Sequence, residues 1–487
     1  MKTRSDHFDL VVRSGTVING TRAARFDADV GVTDGRIAAI GDLSASTADT
    51  TLDATGLIVA PGFIDSHTHD DQAVLSQAAM PFKVSQGVTT VIAGNCGISA
   101  APLRSGMELP MPLGLLGSPV EGRFASFAAY MNALRAAPSS VNVAAMVGHS
   151  TLRAVTMGDL DRPATPIEIA AMRAHVDEAM RAGAIGLSTG TFYPPAAKAT
   201  TEEIIEVGRP LTDCGALYVT HMRDESDRVM EALEETFAIG RALGVRVVVS
   251  HHKVMHAPNF GATTRTLPFI RETMARQPVC LDCYPYTAGS TMIRADRGML
   301  EGRVLISSSE PHPECAGRDL ADIARDWGVT GEEAARRLQP GSAVYFMMDE
   351  DDVRRVLAFE ETMIGSDGIP LGDKPHPRLW GTFPRVLGHY SRDVGLFPLE
   401  TAVWKMTGLT ARNFSLHERG TLTVGNWADI TVFDAATVRD AATYEVPNRP
   451  AKGIDTVVVN GAITWQHGMH TGAREGQVIV RRGAAAG

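Results

Sequence analysis

Between residues 57 and 366, short apolar segments alternate with amphipathic helical stretches, the pattern of a parallel sheet whose strands are joined by crossover helices. The segments at 57–65, 89–94, 142–147, 184–188, 217–220, 246–250, 279–284 and 362–366 number eight, the count that closes a (β/α)8 barrel. One intervening helix is well punctuated: Thr165 suits an N-cap, Pro166 the first turn and Gly183 the stop, with Ile167, Ile169, Met172 and Val176 at helical spacing between them. Thr200 and Glu203 open the next helix at capping-box spacing. Residues 285–342, between the last two strands, are too many for an ordinary loop and predict an inserted lid or subdomain over the barrel mouth.

The two chain ends have another texture. Residues 9–13, 16–18, 28–32 and 36–40 read as short strands, the last pair joined by the hairpin-type Asp34-Gly35, and residues 420–433 and 454–464 repeat that style. With 487 residues and about 150 per domain, roughly three units fit the length. The expected architecture is α/β: a TIM-like catalytic barrel over 61–414, a small β-sandwich or barrel domain built from 1–60 and 415–487, and the insertion at 285–342.

A formal charge of −10, from 46 Lys+Arg against 56 Asp+Glu, argues against nucleic acid and anionic lipid as partners. Apolar runs such as 245–249 fall far short of a membrane span. Five cysteines are few and odd in number, which does not fit a disulfide framework, and the amino terminus has no apolar signal core. A reducing cytoplasm is the expected location.

The chemistry collects at strand ends. His67 and His69 are two apart after the first strand, so both can face one ion. Fifteen His in 487 residues would produce roughly half such a pair by chance, so the pair alone decides little. The other strands decide more: the second ends near Cys96, the fifth at His221, the sixth at His251 and the eighth at Asp367, all at the carboxyl face where barrel enzymes place their chemistry. Imidazoles with a thiolate suit Zn²⁺ better than Mg²⁺ or Ca²⁺. Zinc polarises a carbonyl and lowers the pKa of a water to about 7. Asp367 stands where a carboxylate can take a proton and return it to a leaving nitrogen, its alternative being a cap on the turn at Gly368. His149 faces either substrate or a loop carbonyl, and His252, directly after His251, points the opposite way and reads as structural. Cys280 and Cys283 have the spacing of half a zinc knuckle or a redox pair, but no second Cys pair completes it and both read as buried strand positions.

Gly62-Phe63-Ile64-Asp65-x-His67-x-His69 after a β-rich leader, with a late strand ending in Asp, resembles the amidohydrolase superfamily of metal-dependent barrel hydrolases. Gly94-Asn95-Cys96-Gly97-Ile98-Ser99, Ser188-Thr189-Gly190-Thr191-Phe192-Tyr193-Pro194-Pro195, Thr220-His221-Met222-Arg223-Asp224-Glu225, Ser250-His251-His252-Lys253, Gly365-Ser366-Asp367-Gly368 and His376-Pro377-Arg378-Leu379-Trp380-Gly381-Thr382-Phe383 narrow this to the N-acyl-D-amino-acid deacylases, or D-aminoacylases, over essentially the whole chain. The resemblance implies that Cys96, His221 and His251 hold a tightly bound zinc. It implies too that His67, His69, Cys96 and Asp367 outline a second, weaker metal position. A bridging cysteine would replace the carbamylated lysine of many relatives, and the fourth strand here ends Leu187-Ser188-Thr189-Gly190 with no Lys to modify.

By the same resemblance, Arg378, Lys253, Tyr284 and Ser290 would bind a substrate carboxylate, a task suited to a guanidinium fork. Phe192, Met255, Tyr345 and Met347 would line an apolar pocket for the amino-acid side chain. The expected reaction is zinc-dependent hydrolysis of a small-molecule N-acyl-D-amino acid, with Asp367 as acid and base and with Met, Leu or Phe side chains favoured. The alternatives are an acidic D-Glu or D-Asp side chain recruited by an Arg such as Arg294, a cyclic amidase resembling hydantoinase or dihydroorotase, and a catalytically silent scaffold.

Overall fold

The computed structural model describes residues 7–104, 106–116 and 123–482. The first six residues, part of the segment read as lacking a signal core, lie outside that range, as do the last five of the carboxyl-terminal strand region.

Eight barrel strands are present: β1 (Phe63–Asp65), β2 (Val88–Ala93), β3 (Asn142–Ala145, resuming at Val147–Gly148), β4 (Gly186–Gly190), β5 (Leu217–His221), β6 (Val247–Val249), β7 (Val279–Cys283) and β8 (Thr362–Ile364). Neighbours from β1 to β3 and from β3 to β8 pair in parallel. The β8/β1 seam is different. It is closed by an isolated parallel bridge between Thr68 and Gly368 and by backbone hydrogen bonds from Ser66 to Ile364 (3.3 Å) and from Asp367 to His67 (2.8 Å).

Alternation along the strands builds two apolar layers. Ile64, Ile92, Ala144, Val219, Val248, Cys280 and Met363 fill the barrel interior, where Leu409, Phe414 and Leu416 join them. Val91, Val143, Leu187, Tyr218, Val247, Leu281 and Ile364 pack in the larger core with the surrounding helices. Cys280 belongs to the first layer and Cys283 to the second, so the two thiols face different cores and are both free.

The first predicted strand divides. Ile58–Pro61 joins a sheet outside the barrel while Phe63–Asp65 begins the barrel, and Gly62 sits between them where any Cβ would run into Thr89. That outer sheet has nine strands and mixes both chain ends: Ile58–Pro61 pairs in parallel with His7–Val17 and antiparallel with Ile430–Phe433, which continues to Ile454–Val459 and Ala462–Gln466. Asp34 (φ 53°) and Gly35 (φ 72°) make the tight turn between Phe26–Thr33 and Arg36–Gly41. Val478–Ile479 leaves the outer sheet and adds to β3.

The segment after β7 forms an antiparallel sheet of Ala288–Met292, Arg303–Ser309 and Gly341–Phe346, backed by helices Leu320–Trp327 and Gly331–Arg337 around its own apolar cluster. Its last strand runs past residue 342. Among the described residues, no helix is long and apolar enough to cross a membrane.

The helix Pro166–Ala182 begins and ends as its sequence dictates. Thr165 and Glu168 form a reciprocal capping box, and Gly183 takes φ 101° at the end. Ile167, read as part of the apolar face, is instead 83% exposed, and Met172, Val176, Ala179 and Met180 make the buried stripe. At the next helix Thr200 caps Glu203 N, but the Glu203 carboxylate turns away to Arg153 and Ala164 N, so only half of the expected box forms. Replacing Thr165 with Ala should destabilise the barrel by about 1 kcal/mol, the usual value of an N-cap, with the shift read from chemical unfolding midpoints.

Candidate metal centre

Five strand ends converge on one buried cluster. His67 and His69 follow β1, Cys96 follows β2, His221 closes β5, His251 follows β6 and Asp367 follows β8. Three of these residues have left-handed backbones: Cys96 at φ 54°, His251 at 34° and Asp367 at 48°. Such conformations cost on the order of 1–3 kcal/mol each for non-glycine residues and persist only where the surroundings impose them. Here the surroundings are specific. His251 N donates to Asp282 Oδ1 at 2.8 Å, Asp367 N donates to the His67 carbonyl, and Gly97 N beside Cys96 donates to Ser188 Oγ at 3.0 Å. Gly190, at the end of β4, is pressed against the Cys96 carbonyl so closely that a Cβ there would overlap it.

The donor atoms fall into two groups that share Cys96. His67, His69, Cys96 and Asp367 form one and Cys96, His221 and His251 the other, with all ligand atoms of each group within 4.8 Å of one another. Cys96 Sγ lies 3.2 Å from His67 Nε2, 3.4 Å from His251 Nε2 and 3.7 Å from His221 Nδ1. Asp367 Oδ1 is 3.1 Å from His69 Nε2 and 3.5 Å from His67 Nε2. Thiolate and imidazole donors around one point match the preferences of zinc, and a shared thiolate between two donor groups is a geometry that can serve two ions.

Burial would raise the Cys96 thiol, but the charges of His67 and His251 and hydrogen bonds with His221 and His251 hold it well below the usual range. Asp367 behaves alike: burial is opposed by the Arg378 guanidinium and His251, and the carboxylate stays ionised. Burial disfavours the charged form of His69, yet hydrogen bonds to Asp367 and Cys96 push it up to about 9. His221 is lowered by burial, which leaves a neutral imidazole suited to ligation. The site therefore presents anionic sulfur and oxygen to any cation that enters. These residues fit a zinc centre.

Two carboxylates that the sequence reading did not single out organise these ligands. Glu225 Oε1 is 3.1 Å from His251 Nδ1, and its Oε2 is 3.4 Å from His221 Nε2 and 2.7 Å from Lys253 Nζ. Asp282 Oδ1 is 3.4 Å from His67 Nδ1 and also fixes the His251 backbone. Each holds the outer nitrogen of an imidazole whose inner nitrogen faces Cys96, the arrangement that sets ligand orientation and basicity. Asp282 has one signal in the sequence, an acid in the middle of an apolar strand between Cys280 and Cys283.

Beside the cluster is a cavity lined in part by Phe192, Lys253, Met255, Tyr284, Ser290, Tyr345, Met347 and Asp367. All of the residues assigned to substrate contact except Arg378 line it directly. Arg378 is 1% exposed, yet its Nη1 is 2.9 Å from Asp367 Oδ2, its Nη2 donates to the Ser290 carbonyl at 3.1 Å and its guanidinium covers the Tyr284 ring at 4.5 Å. His376 Nδ1 accepts from Arg378 N, and its other nitrogen lies 2.9 Å from the Ala288 carbonyl. The insertion's first strand is thus a tethered wall of the cavity. Arg294 stacks on Phe192 at 4.8 Å and pairs with Asp296 at 2.6 Å.

His149 and His252 lie elsewhere. His149 Nε2 is 3.2 Å from Glu203 in a buried network with Arg153, and His252 Nε2 meets Thr266 Oγ1 at 2.8 Å.

The amidohydrolase family model matches residues 50–291 and 328–465. The chain belongs to the amidohydrolase family. This amidohydrolase is 59% identical over 480 residues to the D-aminoacylase of Alcaligenes xylosoxydans xylosoxydans, covering 99% of each chain. Crystal structures of D-aminoacylase, also 59% identical, superpose with a TM-score of 0.96 over 97% of this amidohydrolase and 100% of theirs. One of them addresses a binuclear metal center with one-metal activation and second-metal attenuation. The N-acyl-D-glutamate deacylase of Bordetella bronchiseptica, in complex with zinc and a phosphonate mimic of the tetrahedral intermediate, is 45% identical with a TM-score of 0.94, over 97% of this chain and 100% of that one.

Glu225→Gln should weaken zinc binding by about 10–100-fold, the usual scale for losing the carboxylate behind a ligating histidine, as measured by competition with a chromogenic chelator.

Proposed function

We propose that this amidohydrolase cleaves N-acyl-D-amino acids to a carboxylate and a free D-amino acid, with zinc at the Cys96, His221 and His251 group. The observation that carries the proposal is the shared Cys96 thiolate beside a cavity lined by Lys253, Tyr284 and Ser290 together with apolar side chains, with Arg378 held against Asp367 behind it. High identity to a D-aminoacylase along the whole chain supports it.

Zinc, when bound, supplies Lewis acidity toward the acyl oxygen and makes a water acidic enough to attack near neutral pH. The chain's own residues do the rest. Arg378, Lys253 and Tyr284, with Ser290, orient the α-carboxylate, so that the scissile amide is held against the histidine cluster. Asp367, kept ionised by Arg378, takes a proton from the attacking water as the carbon–oxygen bond forms. The carbon–nitrogen bond then breaks, and Asp367 returns that proton to the leaving amine. Glu225 keeps Lys253 and both imidazoles in register. His67 and His69 complete a second, weaker metal position with Cys96 and Asp367.

The cyclic-amidase alternative has less support. Where relatives of that kind carry a modified lysine, β4 here ends in Gly190, and the backbone of Cys96 occupies the space a side chain would need. The scaffold alternative is disfavoured because every expected ligand is present and converges.

Phe192, Met255, Met299, Tyr345 and Met347 favour D-Met, D-Leu or D-Phe side chains, while Arg294 is engaged by Asp296 and stacked on Phe192. A parallel assay of N-acetyl-D- and L-methionine, leucine, glutamate and aspartate should show turnover of the D-methionine and D-leucine substrates. Preferential cleavage of the acidic pair would transfer the specificity to Arg294, and turnover of hydantoins alone would overturn the deacylase reading. Asp367→Asn should lower kcat by about 10²–10⁴-fold while the tight zinc remains, measured by steady-state kinetics with metal analysis.

A further inference from the structure

Behind the histidine cluster lies a second buried charge network that touches neither the cavity nor the thiolate. Lys83, from the short helix Pro81–Val84, has no exposed surface. Its Nζ donates to Asp65 Oδ2 at 2.7 Å and to Ser366 Oγ at 3.0 Å, and lies 3.2 Å from Asp70 Oδ2. Asp65 Oδ1 in turn accepts from Ser366 N at 2.7 Å and from His67 N at 3.3 Å. Ser366 Oγ also accepts from Gly368 N at 3.1 Å. Asp65, Asp70 and Ser366 are as completely buried as Lys83.

The location of this network gives it meaning. It spans the β8/β1 seam, where the described strands meet through one isolated bridge and through backbone hydrogen bonds from Ser66 to Ile364, from Asp367 to His67 and from His69 to Gly368. His67 and His69 leave β1 on one side of that seam, and Asp367 leaves β8 on the other. Asp65 and Asp70 bracket the two histidines, while Ser366 immediately precedes Asp367. A single ammonium contacts all three. The backbone bonds tie the two strand ends together, and a buried cation between two carboxylates and a hydroxyl adds a side-chain tie across them, because any drift leaves a charge unpaired in a fully buried site.

We propose that Lys83 is a positioning residue: it sets the separation of His67 and His69 from Asp367, and thereby the geometry of proton transfer and of the second metal position. The Cys96, His221 and His251 group, carried by β2, β5 and β6, does not depend on it. This rests on the deacylase reading for its kinetic arm only; its metal-binding arm needs no substrate.

The test compares Lys83→Met and Ser366→Ala with the parent enzyme. Lys83→Met should lose about 10–100-fold in kcat with KM for N-acetyl-D-methionine nearly unchanged, and should weaken binding of a second zinc while one tight zinc per chain remains. Ser366→Ala removes only the hydroxyl contact to β8 and should lose less in the same direction. If Lys83→Met does not fold, Ser366→Ala decides alone. Parent-like kcat and second-zinc affinity in the folded variants would overturn the proposal, as would parallel loss of kcat, KM and the tight zinc, which marks general destabilisation. If the parent turns over no N-acyl amino acid, the deacylase reading fails and the zinc titrations still decide the role of Lys83.

Discussion

One buried thiolate holds the site together. Cys96 Sγ is within 3.7 Å of three imidazoles and is the sole atom common to both donor groups among the described residues. A charge this deep is tolerable only when it is paired, and the barrel is arranged around that need. Glycines at 94 and 97 and a left-handed Cys96 turn the sulfur inward, Ser188 pins Gly97, and Gly190 leaves room for the Cys96 carbonyl. The end of β4 is small because the end of β2 carries the charge.

From the thiolate, the electrostatics spread outward in alternating layers. Imidazoles surround the sulfur, Glu225 and Asp282 hold the outer nitrogens of three of them, and Lys253 and Arg378 neutralise Glu225 and Asp367. The cations proposed to bind substrate are therefore partners of the residues proposed to hold metal and move protons. Lys253 and Arg378 place positive charge locally beside the cavity, within a chain whose formal net charge is −10.

Much of this was legible in the chain. Strand count, the capping of Pro166–Ala182 and the convergence of His67, His69, Cys96, His221, His251 and Asp367 follow from period and position, because a parallel barrel puts every strand's carboxyl end on one face. Ile167 was misread because helical spacing gives a stripe but not its edges, and the edge is set by how closely the neighbouring helix approaches. Glu203 does not complete its capping box because the buried Arg153 guanidinium and the Ala164 amide, both distant in the chain, take its two carboxylate oxygens. Glu225 and Asp282 went unassigned because an acid is recognisable as a ligand's partner only once its distance to the ligand is known.

The sequence by itself determined the barrel, the family and the set of side chains able to bind metal, since these depend on residue types at periodic positions. Tertiary structure alone decided that one predicted strand serves two sheets, that the insertion is a wall tied to Arg378 through His376 and Ser290, and that Lys83 bridges the seam between the first and last strands. The physical reason is common to all three. Each is a contact between residues far apart in the chain, and its strength depends on burial and distance, which no local pattern encodes.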